Sequence, residues 1–340
     1  MLRRLAARGD QVEWFAASFP GAAPQTELDG IRVIRGGRQW SVHWEAYRRY
    51  RGQLRGRFDA VIDEVNTMPF FTPLWAGIPS FMLIFQLARE VWWYESRFPI
   101  NAAGFAIEPL YLRAYRRTPV FTISNSTEVD LRKLGFRDRI TVVPIGIEPV
   151  QVDPVPRGST PMLLYVGRLA PSKRVHDLLD ALDLLRREFP SARLALVGDG
   201  PPAYVERLHR LAARLGIANA VEFCGRLPAA EKHRRMAAAD ALLMASAREG
   251  WGLVITEANA CGTPAVVYDV AGLRDAVRNE ETGLVVPPAP ANLAAAVTRL
   301  LKDAGLRDRL GAEARRWSAT FSFDRAAEII REGIAERISP

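Results

Sequence analysis

The chain has 340 residues, 49% apolar and 25% charged, which is too long for one compact core and ordinary for a globular protein. Two domains are therefore expected, and disorder, collagen-like repeats and coiled coil are excluded. Cys224 and Cys261 are the only cysteines, so a disulfide framework or a cysteine-built zinc site is ruled out and a reducing compartment fits. The net charge of +8 divides into +5 over residues 1–150 and +3 beyond, with no run of five like charges, which argues against nucleic acid as a partner.

Met1-Leu2-Arg3-Arg4-Leu5 lacks the apolar run of a signal peptide, so a cytoplasmic protein is expected. Residues 2–12 read as the last turns of a helix running straight into a strand. Short apolar runs then alternate with helical stretches, at 11–16, 31–34, 60–62, 81–85, 120–123 and 140–143. A basic helix is expected over 41–54, with His43 on its surface. Residues 65–88 carry no charge and could span a bilayer by length, but Pro69, Pro73 and Pro79 would break the backbone ladder that hydrocarbon demands. The stretch instead reads as a turn, a short helix and a buried strand over 80–85. Trp92, Trp93 and Tyr94, with Arg113, Arg116 and Arg117, form a basic and aromatic cluster of the kind that touches an anionic membrane surface, or buried aromatics beside a solvated helix. Asn125-Ser126-Thr127-Glu128 reads as a helix cap.

Residues 148–160, with Pro149, Pro154, Pro156 and Gly158, read as a linker. A second series of runs follows at 162–166, 193–197, 220–223, 241–245, 265–268 and 284–286, with a helix over 175–189 and a helical tail over 324–338. The whole predicts two doubly wound parallel sheets with a ligand cleft between them.

Two blocks carry chemistry. The first runs Glu249-Gly250-Trp251-Gly252-Leu253-Val254-Ile255-Thr256-Glu257, then Cys261-Gly262-Thr263-Pro264. It follows a strand and opens a helix; its glycines let backbone approach a ligand, and free N–H groups at the helix start favour an anion. Glu249 and Glu257 lie eight positions apart, roughly 12 Å along a helix, which suits two ends of an extended ligand better than one acid/base pair. On spacing alone they could equally be unrelated surface carboxylates. The second block is Tyr165-Val166-Gly167-Arg168-Leu169-Ala170-Pro171-Ser172-Lys173. A guanidinium and an ammonium at the carboxyl edge of a parallel sheet suit a pyrophosphate. The chain has only four lysines, Lys133, Lys173, Lys232 and Lys302, so one retained here stands out.

These blocks, with Val197-Gly198-Asp199-Gly200-Pro201, Phe223-x-Gly225, Ala271-Gly272-Leu273-x-Asp275 and Thr282-Gly283-Leu284 in register over about residues 160–320, resemble the C-terminal half of glycosyltransferase family 4. These are retaining nucleotide-sugar glycosyltransferases of GT-B fold. The resemblance implies an α/β chain of two Rossmann-like doubly wound parallel-sheet domains facing a cleft. Residues 1–152 would form the acceptor-side domain and 160–322 the donor domain, with the helix of 323–340 packing back towards the first. It implies that Arg168 and Lys173 hold the donor diphosphate and that Glu249 meets the sugar. The glycines at 167, 198, 250 and 252 and the backbone of Trp251, Leu253 and Val254 would line the donor, and Glu257 would bind its ribose. The catalytic set would be Glu249, Arg168 and Lys173. Asn66, Gln86, Arg89 and Glu90 become acceptor-side candidates, because the stretches 63–71 and 86–92 look like one subgroup of the family. The expected partners are a nucleotide-sugar donor, a glycan, lipid-linked or small-molecule acceptor, and peripherally the inner membrane face. The resemblance implies no cofactor and no metal, and the sequence contains no Asp-x-Asp.

There are departures. Asp275 stands where the family carries a glutamate. Phe85-Gln86 stands where it often carries a histidine, and Gln86 cannot move a proton as imidazole does. His176, His209 and His233 are expected bystanders. The family's first strand, glycine-rich loop and most of its first helix have no counterpart, so about 20 residues or more are expected upstream of Met1; equal stability and activity of an upstream-extended chain would refute this. An impaired homologue acting as a scaffold in glycan assembly is the main alternative. Gly198-x-Gly200-x-x-Ala203 also fits a relaxed dinucleotide fingerprint, which leaves an NAD-dependent oxidoreductase as a remote one.

Overall fold

The computed structural model describes every residue except 40, 149, 151, 153, 154, 156, 157, 339 and 340. Much of the expected linker over 148–160 therefore lies outside the described residues. The chain divides into two compact units, Met1–Ala88 with Gly104–Gly146 and Ser322–Pro340, and Arg89–Ala103 with Ile147–Phe321.

The first unit contains β1 (Glu13–Ala16), β2 (Gln25–Leu28), β3 (Ile31–Arg35), β4 (Val61–Val65), β5 (Ser80–Ile84), β6 (Val120–Thr122) and β7 (Ile140–Val142). Strands β4-β5-β6-β7 form a parallel sheet, and β1-β3-β2 a separate one in which β2 runs antiparallel to β3. That hairpin departs from the all-parallel expectation. Its turn, Asp29-Gly30, has positive φ at both residues (52° and 77°), the geometry a two-residue hairpin loop requires. Among the described residues, β1 and β4 each pair on one side only.

The uncharged stretch is explained by β5, which is buried on both faces. Successive side chains point to opposite faces of a strand, so Met82 and Ile84 enter a core with Val65, Leu112, Tyr115 and Leu131. Phe81 and Leu83 enter another with Leu5, Phe121, Ala326, Ala327 and Ile330. The latter face is covered by the helices Leu2–Ala6 and Phe323–Ile338. No helix among the described residues is long and apolar enough to cross a membrane.

Asp63 on β4 is 1% exposed. Its carboxylate accepts from the backbone N–H of Phe70 (3.1 Å) and Thr72 (3.2 Å), from Thr72 Oγ1 (3.2 Å) and from the Tyr115 hydroxyl. One buried charge thus ties the loop after β4 to the far side of the core.

Smaller expectations shift. The basic helix is Val42–Arg49, continued by a wider turn over Tyr50–Leu54. His43 there packs against Phe70, the rings tilted by 37° at 4.7 Å, with Nε2 at 3.2 Å from the Met68 carbonyl. The helix Asn125–Lys133 is capped by Ser124, whose hydroxyl accepts from the Thr127 N–H.

The second unit carries β8 (Met162–Val166), β9 (Arg193–Val197), β10 (Val221–Gly225), β11 (Ala241–Met244), β12 (Ala265–Tyr268) and β13 (Gly283–Val286). All are parallel, in the order β10-β9-β8-β11-β12-β13. Helices Val175–Arg186, Pro202–Arg214, Ala229–Ala238, Leu253–Ala260, Pro290–Lys302 and Ala304–Ser318 complete it. The order reverses between β8 and β11, and ligands of open α/β sheets bind outside the carboxyl ends of strands at such a point.

Candidate functional site

Both chemistry-bearing blocks leave the carboxyl ends of those two adjacent strands. After β8, Leu169 and Ala170 turn inward (2% and 0% exposed) and pin the loop, while the Arg168 side chain stays 59% exposed. Burial pushes the Tyr165 hydroxyl well above its ordinary range, with the Glu249 charge adding to the effect; it stays a neutral donor and holds the Arg168 carbonyl at 2.9 Å. Pro171–Lys173 forms a tight turn rather than the start of the next helix, which begins at Val175. Arg174 between them is left-handed (φ +49°), and Asp177 secures it with a 2.7 Å ion pair. Burial raises the Asp177 carboxyl, but hydrogen bonds from His176 and Tyr268 and the Arg174 charge outweigh it and hold the group below the usual carboxylate range.

The neighbouring Gly198-x-Gly200 loop explains its own glycines. A Cβ on Gly198 would sit 2.0 Å from the Gly167 carbonyl oxygen, and one on Gly200 1.8 Å from that of Leu169. The Leu169 N–H also donates to the Asp199 carbonyl at 2.8 Å. The two loops touch backbone to backbone, a demand for glycine that involves no dinucleotide.

After β11, the Ala247 N–H donates to the Ser172 carbonyl at 2.8 Å, tying the two site loops together. Glu249 Oε1 accepts from Ser246 Oγ (2.7 Å) and from Lys173 Nζ (2.5 Å). Lys173 and Glu249 side chains are 21% and 13% exposed, so this ion pair is screened less than a surface pair. From the other side, Gly272 (φ +82°) packs so closely that a Cβ would lie 2.1 Å from the Glu249 carbonyl oxygen. Asp275 accepts from the Gly272 N–H at 3.0 Å, so the shorter carboxylate holds this turn. The Trp251 side chain leaves the site: it is 8% exposed, donates from Nε1 to Thr256 Oγ1 (2.9 Å), and packs against Phe321. Gly252 (φ +88°) starts the helix Leu253–Ala260 with no side-chain cap; the Ile255 N–H closes onto the Gly252 carbonyl at 2.8 Å, and the N–H groups of Leu253 and Val254 precede the intrahelical ladder.

Glu257 does not share a proton site with Glu249. Its Oε2 pairs with Lys232 Nζ at 2.6 Å on the neighbouring helix. Lys232 lies in neither motif block, although the scarcity of lysine marks it as much as Lys173. Two of the four lysines thus face the two motif carboxylates.

The acceptor-side candidates divide between the units. Asn66 and Gln86 follow the paired ends of β4 and β5, where Val65 and Ile84 are partners, and the Gln86 side-chain oxygen is buried without a hydrogen bond among the described residues. Arg89 and Glu90 belong to the second unit, where Glu90 accepts from Arg248 Nε at 2.7 Å. His176 is engaged by Asp177 (3.0 Å), His209 stacks on Phe223, and burial lowers His233. Among the described residues no group of three or more His, Cys, Asp or Glu converges as a metal site would.

Comparison with known proteins bears on the family and the fold. Residues 1–146 match the model "Glycosyl transferase 4-like domain", and residues 150–317 match "Glycosyl transferases group 1". A D-inositol 3-phosphate glycosyltransferase of Streptomyces bingchenggensis is 40% identical over 185 residues, 51% of this chain and 40% of that protein. The match therefore spans less than half of that relative. Among solved structures, sucrose-phosphate synthase from Thermosynechococcus elongatus superposes with a TM-score of 0.82 at 22% identity, covering 98% of this chain and 90% of that one. The Anabaena protein HepE in complex with UDP and glucose gives 0.72 at 20% identity, covering 90% and 86%. With one model on each half and this fold throughout, the chain belongs to the GT-B glycosyltransferases of family 4 type.

Proposed function

We propose that the chain transfers a sugar from a nucleoside-diphosphate donor to an acceptor hydroxyl, with retention at the anomeric carbon and without a metal. The observation that carries this is the Lys173–Glu249 pair beside Arg168, on two loops at the reversal point of the parallel sheet. Two cations there match a diphosphate, and the UDP held by HepE is a ligand of that class. The sugar C1–O bond to the β-phosphate breaks as charge grows on the leaving oxygen, and Arg168 and Lys173 stabilise that charge. The acceptor hydroxyl bonds to C1 from the same face and passes its proton to the departing diphosphate. Glu249, oriented by Ser246, receives the sugar hydroxyls. Glu257, held by Lys232, faces the ribose. The acceptor, a glycan, lipid-linked or small molecule, meets Asn66 and Gln86.

The test is a titration with UDP, GDP and ADP, then transfer or hydrolysis of the matching sugar donors in EDTA, with the product anomer read by NMR. At least one diphosphate should bind and its donor turn over with retention. No binding overturns the proposal; binding without turnover favours the impaired homologue, for which Gln86 in the histidine's place speaks.

A cytoplasmic, membrane-peripheral location is part of this reading. The helix Ile100–Tyr111 exposes Ile100, Ala103, Ala106, Ile107 and Leu110, and Phe98, Arg113 and Arg117 are also exposed. Arg116, in contrast, is committed to the Leu134 carbonyl at 2.7 Å. An apolar helical face flanked by arginines suits anionic lipid. The protein should sediment with phosphatidylglycerol vesicles at low salt, and Ile107→Asp with Leu110→Asp should remove it; equal sedimentation of that double variant rejects the surface.

A further inference from the structure

We infer that Glu95 is a built-in competitor for the donor's diphosphate, carried on a strap, Arg89–Ala103, that must lift for the donor to bind. The inference rests on the reading of Arg168 and Lys173 as diphosphate ligands. The strap lies before the linker in sequence yet packs with the unit that holds the site. Its helix, Val91–Glu95, sits against the Pro171–Lys173 turn. There Glu95 Oε1 accepts from Ser172 Oγ and, at 3.4 Å, from the Ser172 N–H, and lies 3.5 Å from Arg168 Nη2.

The other end of this helix repeats the device at its N-cap, Glu90. Glu90 Oε2 accepts from Arg248 Nε at 2.7 Å. Burial raises the Glu90 carboxyl, but the hydrogen bond and charge of Arg248 outweigh it and hold the group below its ordinary range. Of the site-loop cations Arg168, Lys173, Arg174 and Arg248, Lys173 is paired by Glu249 and Arg174 by Asp177, whereas Arg168 and Arg248 meet carboxylates of the strap.

A carboxylate on Arg168 and Ser172 stands where a phosphate oxygen would take the same donors. Both anions cannot hold them together, because like charges at contact distance repel. With Arg168 59% exposed, the Arg168–Glu95 pair is weak enough to be exchanged. Displacement frees two Ser172 donors along with the guanidinium. The strap then keeps the empty site neutral and excludes smaller anions, while a diphosphate, which also engages Lys173, competes successfully.

Glu95→Gln tests this, since it removes the charge and keeps both the shape and an oxygen that accepts from Ser172. Calorimetric titration with UDP and GDP should give a dissociation constant roughly two- to tenfold lower than wild type, with uridine and guanosine unaffected. In the wild type, hydrogen exchange over 89–103 should rise when the diphosphate is added. An unchanged or weaker constant in Glu95→Gln, or slower exchange over 89–103, overturns the strap. If wild type binds a diphosphate and Lys173→Ala abolishes that binding while Glu95→Gln changes nothing, the strap alone is rejected. If neither protein binds either diphosphate, the site reading fails, and the inference with it.

Discussion

Lys173→Ala is expected to lower turnover by about 100-fold or more and to weaken diphosphate binding in parallel. The ammonium sits at 2.5 Å from Glu249 in a position only 21% exposed, so its charge acts through little water. Its removal has two effects. On the proposed reading the leaving diphosphate loses a stabilising cation, and the Glu249 carboxylate, 13% exposed, loses its counter-ion while Ser246 still donates to it, leaving a like charge facing the diphosphate. Lys173→Arg keeps the charge but replaces a compact ammonium with a planar fork, so it should restore binding better than turnover. Initial rates with the best donor, together with calorimetric binding of its diphosphate, separate the two quantities. A rate within about threefold of wild type for Lys173→Ala would remove the lysine from the chemistry.

Asp63→Ala should destabilise the first unit by about 3–5 kcal/mol without touching the second. Four donors converge on this 1%-exposed carboxylate: two backbone N–H groups, the Thr72 hydroxyl and the Tyr115 hydroxyl. Tyr115 is itself fully buried, and burial followed by the Asp63 charge drives its hydroxyl far above its ordinary range, so it remains a donor at any accessible pH. Truncation strands these donors, each at a cost of roughly 1–3 kcal/mol where water cannot reach. Asp63→Asn retains an acceptor oxygen and should lose less. Urea unfolding followed separately by tryptophan fluorescence and by hydrogen exchange over β4–β7 reads the effect. A loss under about 1 kcal/mol in Asp63→Ala would show that the loop after β4 holds itself.

Some elements were legible for a simple reason. Strands β8, β9 and β12 have the expected boundaries, because strands covered on both faces read as continuous apolar runs. The hairpin strand β2 escaped because Gln25–Leu28 is polar and largely exposed, leaving no periodicity to detect. Its one available signal was Asp29-Gly30, a dipeptide suited to a two-residue hairpin turn. The cap at Ser124 was displaced by one residue for a related cause: Ser124 and Asn125 are both capping types, and only backbone geometry chooses between them.

At the site, the sequence by itself determined which chemical groups leave which strand ends. Parallel strands and glycine-bearing loops are local consequences of apolar runs and of residues without Cβ. Pairing is not local. Glu249 with Lys173, Glu257 with Lys232, and Glu95 with Ser172 and Arg168 join residues far apart along the chain. The first of these pairs follows from the strand order β10-β9-β8-β11-β12-β13, which sets the loops after β8 and β11 side by side. A carboxylate's role depends on which cation lies within a few ångströms, because charge interactions fall with distance and with water between them. Only the tertiary structure decided that Glu249 and Glu257 each have their own lysine, and that a glutamate 77 positions before Ser172 pairs with it and with Arg168.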